Sequence, residues 1–267
     1  VHYIESGTGP PLVLLHAFPV DARMWNGTRA LLEEQVRVIT PDLCGLGESP
    51  LRDAPASALE SQESPPAPSL DLAAADVVAL LDTLGLDRVV LGGCSMGGYI
   101  AMAVLRAAPE RVAALLLVDT KAVADSPEQR DNRLVVADRA ERDGIDGWLA
   151  DNSLPNLIGR TGYSSRPEVV AEARELIETQ PSEGVAWAQR AMAARPDSTD
   201  TLRAFGGPSL VVAGEEDTLT PPDAARDLAA ALPRAELAIL PRIGHLAPLE
   251  DPAAFARVVQ PWLSKLD

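Results

Sequence analysis

The chain has 267 residues, 23 basic against 39 acidic side chains, a net charge of −16 and 46% hydrophobic residues. Such a composition suits a globular chain large enough for a sizeable core, and excludes a disordered segment or a disulfide mini-protein. The negative charge repels phosphate backbones and anionic headgroups, and no run approaches eighteen apolar residues, so neither nucleic acid nor a membrane is an expected partner.

Residues 1–6 read as a strand, followed by the turn Gly7-Thr8-Gly9-Pro10 and a short apolar run at 12–15. A continuous run of this kind is the mark of a parallel strand buried on both faces. Similar runs recur at 36–39, 88–91, 115–118, 209–212 and 235–240, with helical pattern between most of them. This alternation predicts βαβ units and a mainly parallel sheet. It breaks twice. Residues 51–70, rich in Ala, Pro, Ser and Glu, read as a long mobile surface loop. Residues 121–205 hold no convincing strand, only amphipathic helical pattern punctuated by prolines, and Ser126-Pro127-Glu128-Gln129 supplies an N-cap, a first-turn proline and a capping-box glutamine. The expected organisation is a core of residues 1–120 and 206–267 with a helical cap, 121–205, inserted between two of its strands.

The strongest chemical signal is Gly93-Cys94-Ser95-Met96-Gly97, set between an apolar strand and the helical pattern of residues 99–108. G-x-S-x-G in that context places a serine on a strained turn with its hydroxyl exposed at the sheet edge. A serine hydroxyl needs a histidine base, which in turn needs an orienting acid. Of the three histidines, His2 and His16 lie near the start, which leaves His245, after the last strand, as the base. Asp217, in the loop after the 209–212 strand, is the preferred acid, with Asp119 and Glu216 as alternatives. The order Ser95, Asp217, His245 is that of one serine-hydrolase architecture and not of chymotrypsin-like or subtilisin-like chains. The N–H groups of Met96 and of Phe18, in His16-Ala17-Phe18-Pro19, are the oxyanion donors expected.

With these four segments in order, the sequence resembles the α/β-hydrolase fold superfamily, specifically the capped esterase, lactonase and perhydrolase branch related to 3-oxoadipate enol-lactonases. His16 to Pro19 looks like the family's H-G-x-P motif with Ala17 in place of glycine, and Asp42 to Ser49 like its D-x-R-G-x-G-x-S segment with Cys44 in place of arginine. The resemblance implies an α/β-hydrolase fold of about seven strands, with the insertion forming a cap over the site; the family's first strand has no counterpart in this sequence, which implies either a seven-stranded sheet or a trimmed terminus. It also implies two-step acyl transfer by Ser95, His245 and Asp217, with neither metal nor organic cofactor.

Small, mostly apolar esters are the expected substrates, with lactone hydrolysis and cofactor-free perhydrolysis as alternatives and a non-catalytic small-ligand receptor as a reading of another class. Trp148, Trp187, Met192, Leu219 and Leu246 are candidate pocket walls. Lys121, Arg130 and Arg133 read as a solvated helix face among Glu128, Asp131 and Asp138. Cys44 and Cys94 fit no zinc spacing, and the family's strand order keeps them apart, so no disulfide and a reducing cytoplasm are expected. A homodimer is a further possibility.

Overall fold

The computed structural model describes residues 1–51 and 67–266. Its framework is one sheet of seven strands: β1 (Tyr3–Ser6), β2 (Pro11–Leu15), β3 (Arg37–Pro41), β4 (Val89–Cys94), β5 (Val112–Val118), β6 (Ser209–Gly214) and β7 (Ala235–Leu240). Their order is β1-β3-β2-β4-β5-β6-β7, antiparallel only between β1 and β3. Strands β2, β4, β5 and β6 occupy the interior and are almost wholly buried, which is why they read as unbroken apolar runs. The edge strand β7 is half exposed and carries Glu236 and the exposed Leu237. Each strand falls where its run is expected, with ends displaced by up to three residues.

Helices α1 (Asn26–Leu32), α2 (Leu70–Thr83) and α3 (Met96–Ala107) follow β2, β3 and β4 in the chain, and α2 packs against α3. Helix α2 begins inside the expected surface loop, because Ser69 adopts extended backbone and its hydroxyl accepts the Leu72 N–H. The rest of that loop, residues 52–66, lies outside the described residues.

Between β5 and β6 come six helices and no strand: α4 (Pro127–Asp143), α5 (Leu149–Leu157), α6 (Arg160–Ser165), α7 (Pro167–Glu178), α8 (Ser182–Ala193) and α9 (Thr199–Ala204). The capping box forms, with Ser126 Oγ accepting the Gln129 N–H and Gln129 Oε1 accepting the Ser126 N–H. Helix α4 packs along α8, whereas α9 packs on α3 and on α10 (Pro222–Ala231). The chain closes with α11 (Ala247–Glu250) and α12 (Pro252–Leu263), the latter packed on α1. No helix among the described residues is long and apolar enough to cross a membrane.

Candidate active site

Ser95 joins the central strand β4 to α3 with φ 51° and ψ −111°. A non-glycine residue held in that left-handed region is strained, and the surroundings must hold it there. Two glycines make the turn possible: a Cβ on Gly93 would lie 2.2 Å from the Gly97 carbonyl, and one on Gly97 would lie 2.2 Å from the Leu15 carbonyl oxygen. The end of β5 pins the turn further, since Ser95 N–H donates to Val118 O at 2.9 Å and Thr120 Oγ1 donates to Ser95 O at 2.8 Å.

Ser95 Oγ lies 2.7 Å from His245 Nε2, and His245 Nδ1 lies 2.8 Å from Asp217 Oδ2. All three residues are buried. Asp217 is saturated with donors: Oδ1 accepts the N–H groups of Leu219 and Thr220 at 2.8 and 3.0 Å, and Oδ2 also accepts the Thr220 hydroxyl at 2.6 Å. Burial alone would push its carboxyl up, but the attraction and hydrogen bond to His245 and the Thr220 bonds outweigh that and hold it below the ordinary aspartate range.

The two alternative acids serve other partners. Glu216 binds the N–H and hydroxyl of Thr161 and the guanidinium of Arg160. Asp119, with φ 45°, accepts the N–H of Gly214 at 2.8 Å and of Ala247 at 3.2 Å. It thereby links the loops that carry Asp217 and His245. Burial and the nearby Asp217 charge raise its carboxyl well above the ordinary range, against the pull of those two amides. Glu250, which the sequence gives no local reason to single out, plays a matching part. Its Oε2 accepts the N–H groups of Gly159 and Gly244, both at 2.9 Å, so the residue before His245 is tied to the start of α6.

The Met96 N–H is among the free amides of the α3 N-terminus, and Phe18 N–H makes no hydrogen bond among the described residues. The Phe18 loop is held by His16, whose Nδ1 donates to Ala17 O at 2.9 Å while its Nε2 accepts the Leu43 N–H at 2.8 Å. Burial depresses the His16 pKa, consistent with this neutral tautomer. The Phe18–Pro19 peptide is cis. Cys94, next to the serine, is buried with its thiol pushed up by burial and by Asp119 and Asp217, so it is no competing nucleophile. Neither it nor Cys44 is in a disulfide.

Ser95 and His245 open into a cavity of about 320 Å³ between the strand ends and helices α4, α5 and α8. Met192 and Leu219 line it as expected, but Trp148, Trp187 and Leu246 do not. Trp148 donates its indole N–H to Gly144 O at 2.8 Å and stacks under Arg139, Trp187 packs against the core, and Leu246 is fully buried behind the base. The solvated-face expectation holds for the exposed Arg130 and fails for Lys121 and Arg133, which line the cavity. Both turn inward because they pair with Asp125, a buried carboxylate in the segment between the end of β5 and α4. Asn152, Asn156 and Gln189 add an amide-rich wall that hydrophobic periodicity does not register.

A family model described as alpha/beta hydrolase fold matches residues 10–252. An esterase from Thermogutta terrifontis, solved with malate bound, superposes with a TM-score of 0.91 at 39% identity, covering 99% of this chain and 93% of that one. The enol-lactonase from Burkholderia xenovorans LB400 gives 0.86 at 28% identity, covering 98% and 96%. The dihydrolipoyllysine-residue acetyltransferase component of the acetoin cleaving system from Pseudomonas putida is 32% identical over 92% of this chain, which spans 60% of that protein's length.

Proposed function

Because the chain belongs to the α/β-hydrolase fold family, we propose that it is a serine hydrolase cleaving small carboxylic esters, open or cyclic, through an acyl-enzyme. The observation that carries this reading is the unbroken chain of contacts from Asp217 through His245 to Ser95, 2.8 and 2.7 Å long, ending in the cavity.

Asp217 fixes the imidazole tautomer. With Nδ1 donating to a buried carboxylate, Nε2 presents its lone pair to the Ser95 hydroxyl. Ser95 Oγ attacks the ester carbonyl as its proton passes to Nε2, and the negative oxygen of the tetrahedral intermediate meets the Phe18 and Met96 amides. One such donor contributes about 3 kcal/mol to the barrier reduction in serine hydrolases. Collapse breaks the bond to the leaving oxygen, which takes the proton from Nε2. Water then enters, gives its proton to Nε2, attacks the acyl carbon and releases the acid as Ser95 is reprotonated. The likeness to an esterase and an enol-lactonase supports both linear esters and lactones, which this chemistry treats alike.

The test is hydrolysis of 4-nitrophenyl esters from acetate to long acyl chains by the protein and by Ser95→Ala, with a serine-directed phosphonate as an independent label. Activity at short or medium chains that disappears with Ser95→Ala supports the reading, and the chain-length optimum measures the cavity. Absence of both turnover and labelling overturns it in favour of a non-catalytic ligand receptor.

A further inference from the structure

We propose that Lys121 and Arg133 form a carboxylate-binding subsite in the cavity, so that the preferred ester carries a second, free carboxylate. The proposal deepens the hydrolase reading and rests on it. Its first support is the distribution of charge. The chain holds 39 acidic side chains and a net charge of −16, yet no Asp or Glu lines the cavity among the described residues, while one of the chain's two lysines and an arginine do.

The second support is the cluster behind that wall. Asp125 pairs with Arg133 Nε at 2.5 Å, Arg195 Nη2 at 2.8 Å and Lys121 Nζ at 3.2 Å. Three cations share this one buried carboxylate, with the exposed Asp197 also acting on Arg195, which still leaves a surplus of positive charge in a largely enclosed place, an arrangement that costs stability unless an anion completes it. The strain registers on Lys121, whose ammonium is pushed below the ordinary lysine range by burial first and also by Arg195 and Arg133, against the pull of Asp125.

Donors are left for a ligand. Arg133 commits Nε to Asp125 and Nη1 to Gln189 Oε1 and Met192 Sδ, so Nη2 has no partner among the described residues. Lys121 Nζ contacts Asp125 Oδ1 and Gln129 Oε1, two acceptors for three N–H groups. The cluster also adjoins the nucleophile. Arg195 stacks 4.0 Å from the Tyr99 ring centroid, and Tyr99 lines the cavity one helical turn beyond Ser95, about 6 Å along the axis. A short chain with an ester at Ser95 and a carboxylate at Arg133 and Lys121 fits that juxtaposition, as in a monoester of a small dicarboxylic acid.

The experiment compares monomethyl glutarate with dimethyl glutarate by pH-stat titration. The expected kcat/KM ratio favours the monoester at least tenfold, and Lys121→Met and Arg133→Met each lower that ratio at least tenfold. Arg190→Met, which removes an equal charge from an outward pair with Asp138 and Glu141, leaves the ratio unchanged. Calorimetric binding of both compounds to Ser95→Ala reads the subsite without turnover, with the monoester favoured and the preference lost in the double variant Ser95→Ala, Arg133→Met. Equal handling of the two esters by an active enzyme overturns the subsite and leaves the hydrolase reading standing. If neither ester is turned over, the binding arm alone decides, and equal or absent binding overturns the subsite.

Discussion

Asp217→Asn is the substitution most able to separate the proposed mechanism from a merely structural triad. The amide of an asparagine at this position has two orientations. Its oxygen must face the Leu219 and Thr220 N–H groups, at 2.8 and 3.0 Å from Oδ1 now, because backbone amides cannot reverse their polarity. The NH2 group then takes the place of Oδ2, beside the Thr220 hydroxyl at 2.6 Å and His245 Nδ1 at 2.8 Å. The hydroxyl can rotate to accept, but the imidazole has to present a lone pair at Nδ1 and carry its proton on Nε2. Nε2 then donates to Ser95 Oγ, 2.7 Å away, and cannot take its proton. The wrong tautomer in an otherwise intact serine-hydrolase triad lowers kcat by about 10⁴, which is roughly 5.4 kcal/mol in the barrier. KM should move little, since the cavity walls are unchanged. The assay is steady-state hydrolysis of a 4-nitrophenyl ester, with thermal denaturation to establish folding and phosphonate labelling to count competent sites. Asp119→Asn turns its NH2 toward the Gly214 or the Ala247 N–H and so should cost stability and some kcat through the loop of His245, but it leaves the imidazole tautomer intact and should lose far less kcat than Asp217→Asn. Retention of more than about a tenth of wild-type kcat by a folded Asp217→Asn, or an equal loss in both variants, would refute the assignment.

Three further outcomes follow from the same geometry. Gly97→Ala forces a Cβ to within 2.2 Å of the Leu15 carbonyl oxygen, which lies on a buried strand with no room to withdraw, so thermal denaturation should show a loss of about 1–3 kcal/mol or more. Glu250→Ala leaves the Gly159 and Gly244 N–H groups without their acceptor, at about 1–3 kcal/mol for each amide that stays dry, and should lower kcat through the loop of His245; Glu250→Gln keeps one oxygen for both and should be much milder in urea denaturation. Asp125 is pushed up by burial but held below its ordinary value of 3.8 by Arg133, Arg195 and Lys121, so its contribution to stability is present above 3.8 and is lost as pH falls through its folded value. Denaturation curves between about pH 2 and 6 should therefore flatten on the acid side in Asp125→Asn, and an unchanged acid limb would contradict the depressed value.

The core and the meeting of Ser95, His245 and Asp217 are legible in the sequence because both are written locally. A strand buried on two faces has to be apolar without interruption, and a serine on a left-handed turn needs glycines where Gly93 and Gly97 stand. The order of Ser95, Asp217 and His245 then follows from strands whose C-terminal ends meet at one edge of the sheet. The choice among Asp217, Asp119 and Glu216 was less local. All three end up near the same loops, and what separates them is the partner each carboxylate finds: imidazole, two loop amides, or Thr161 and Arg160 on α6. The pocket walls were hardest. Helical periodicity reports which face is apolar, and Trp148 and Trp187 satisfy that demand by packing on the core and not by lining the cavity. Lys121 and Arg133 read as solvated residues because charged side chains in a stretch rich in Asp and Glu usually are, and the residue that turns them inward, Asp125, is legible as a buried carboxylate only once the insertion is folded over the sheet.

The carboxylates behind the site explain how a loop as short as residues 241–246 holds an imidazole in register. Gly244 and Ala247, which bracket His245 and Leu246, each donate a backbone N–H to a buried carboxylate, Glu250 and Asp119 respectively. Burial raises the pKa of both, and each also accepts a second amide from another segment: Gly159 at the start of α6, and Gly214 at the end of β6. The base loop is thus fastened on one side to the insertion and on the other to the strand that leads to Asp217. This arrangement makes His245 the point where helices over the cavity and the sheet beneath it meet, and His245 N–H itself donates to Leu157 O at the end of α5. Displacement of the insertion is then felt at His245 through these ties, so substitutions at Gly159 or Glu250 should reduce kcat for every ester alike, whereas those at Lys121 or Arg133 should change which ester is preferred.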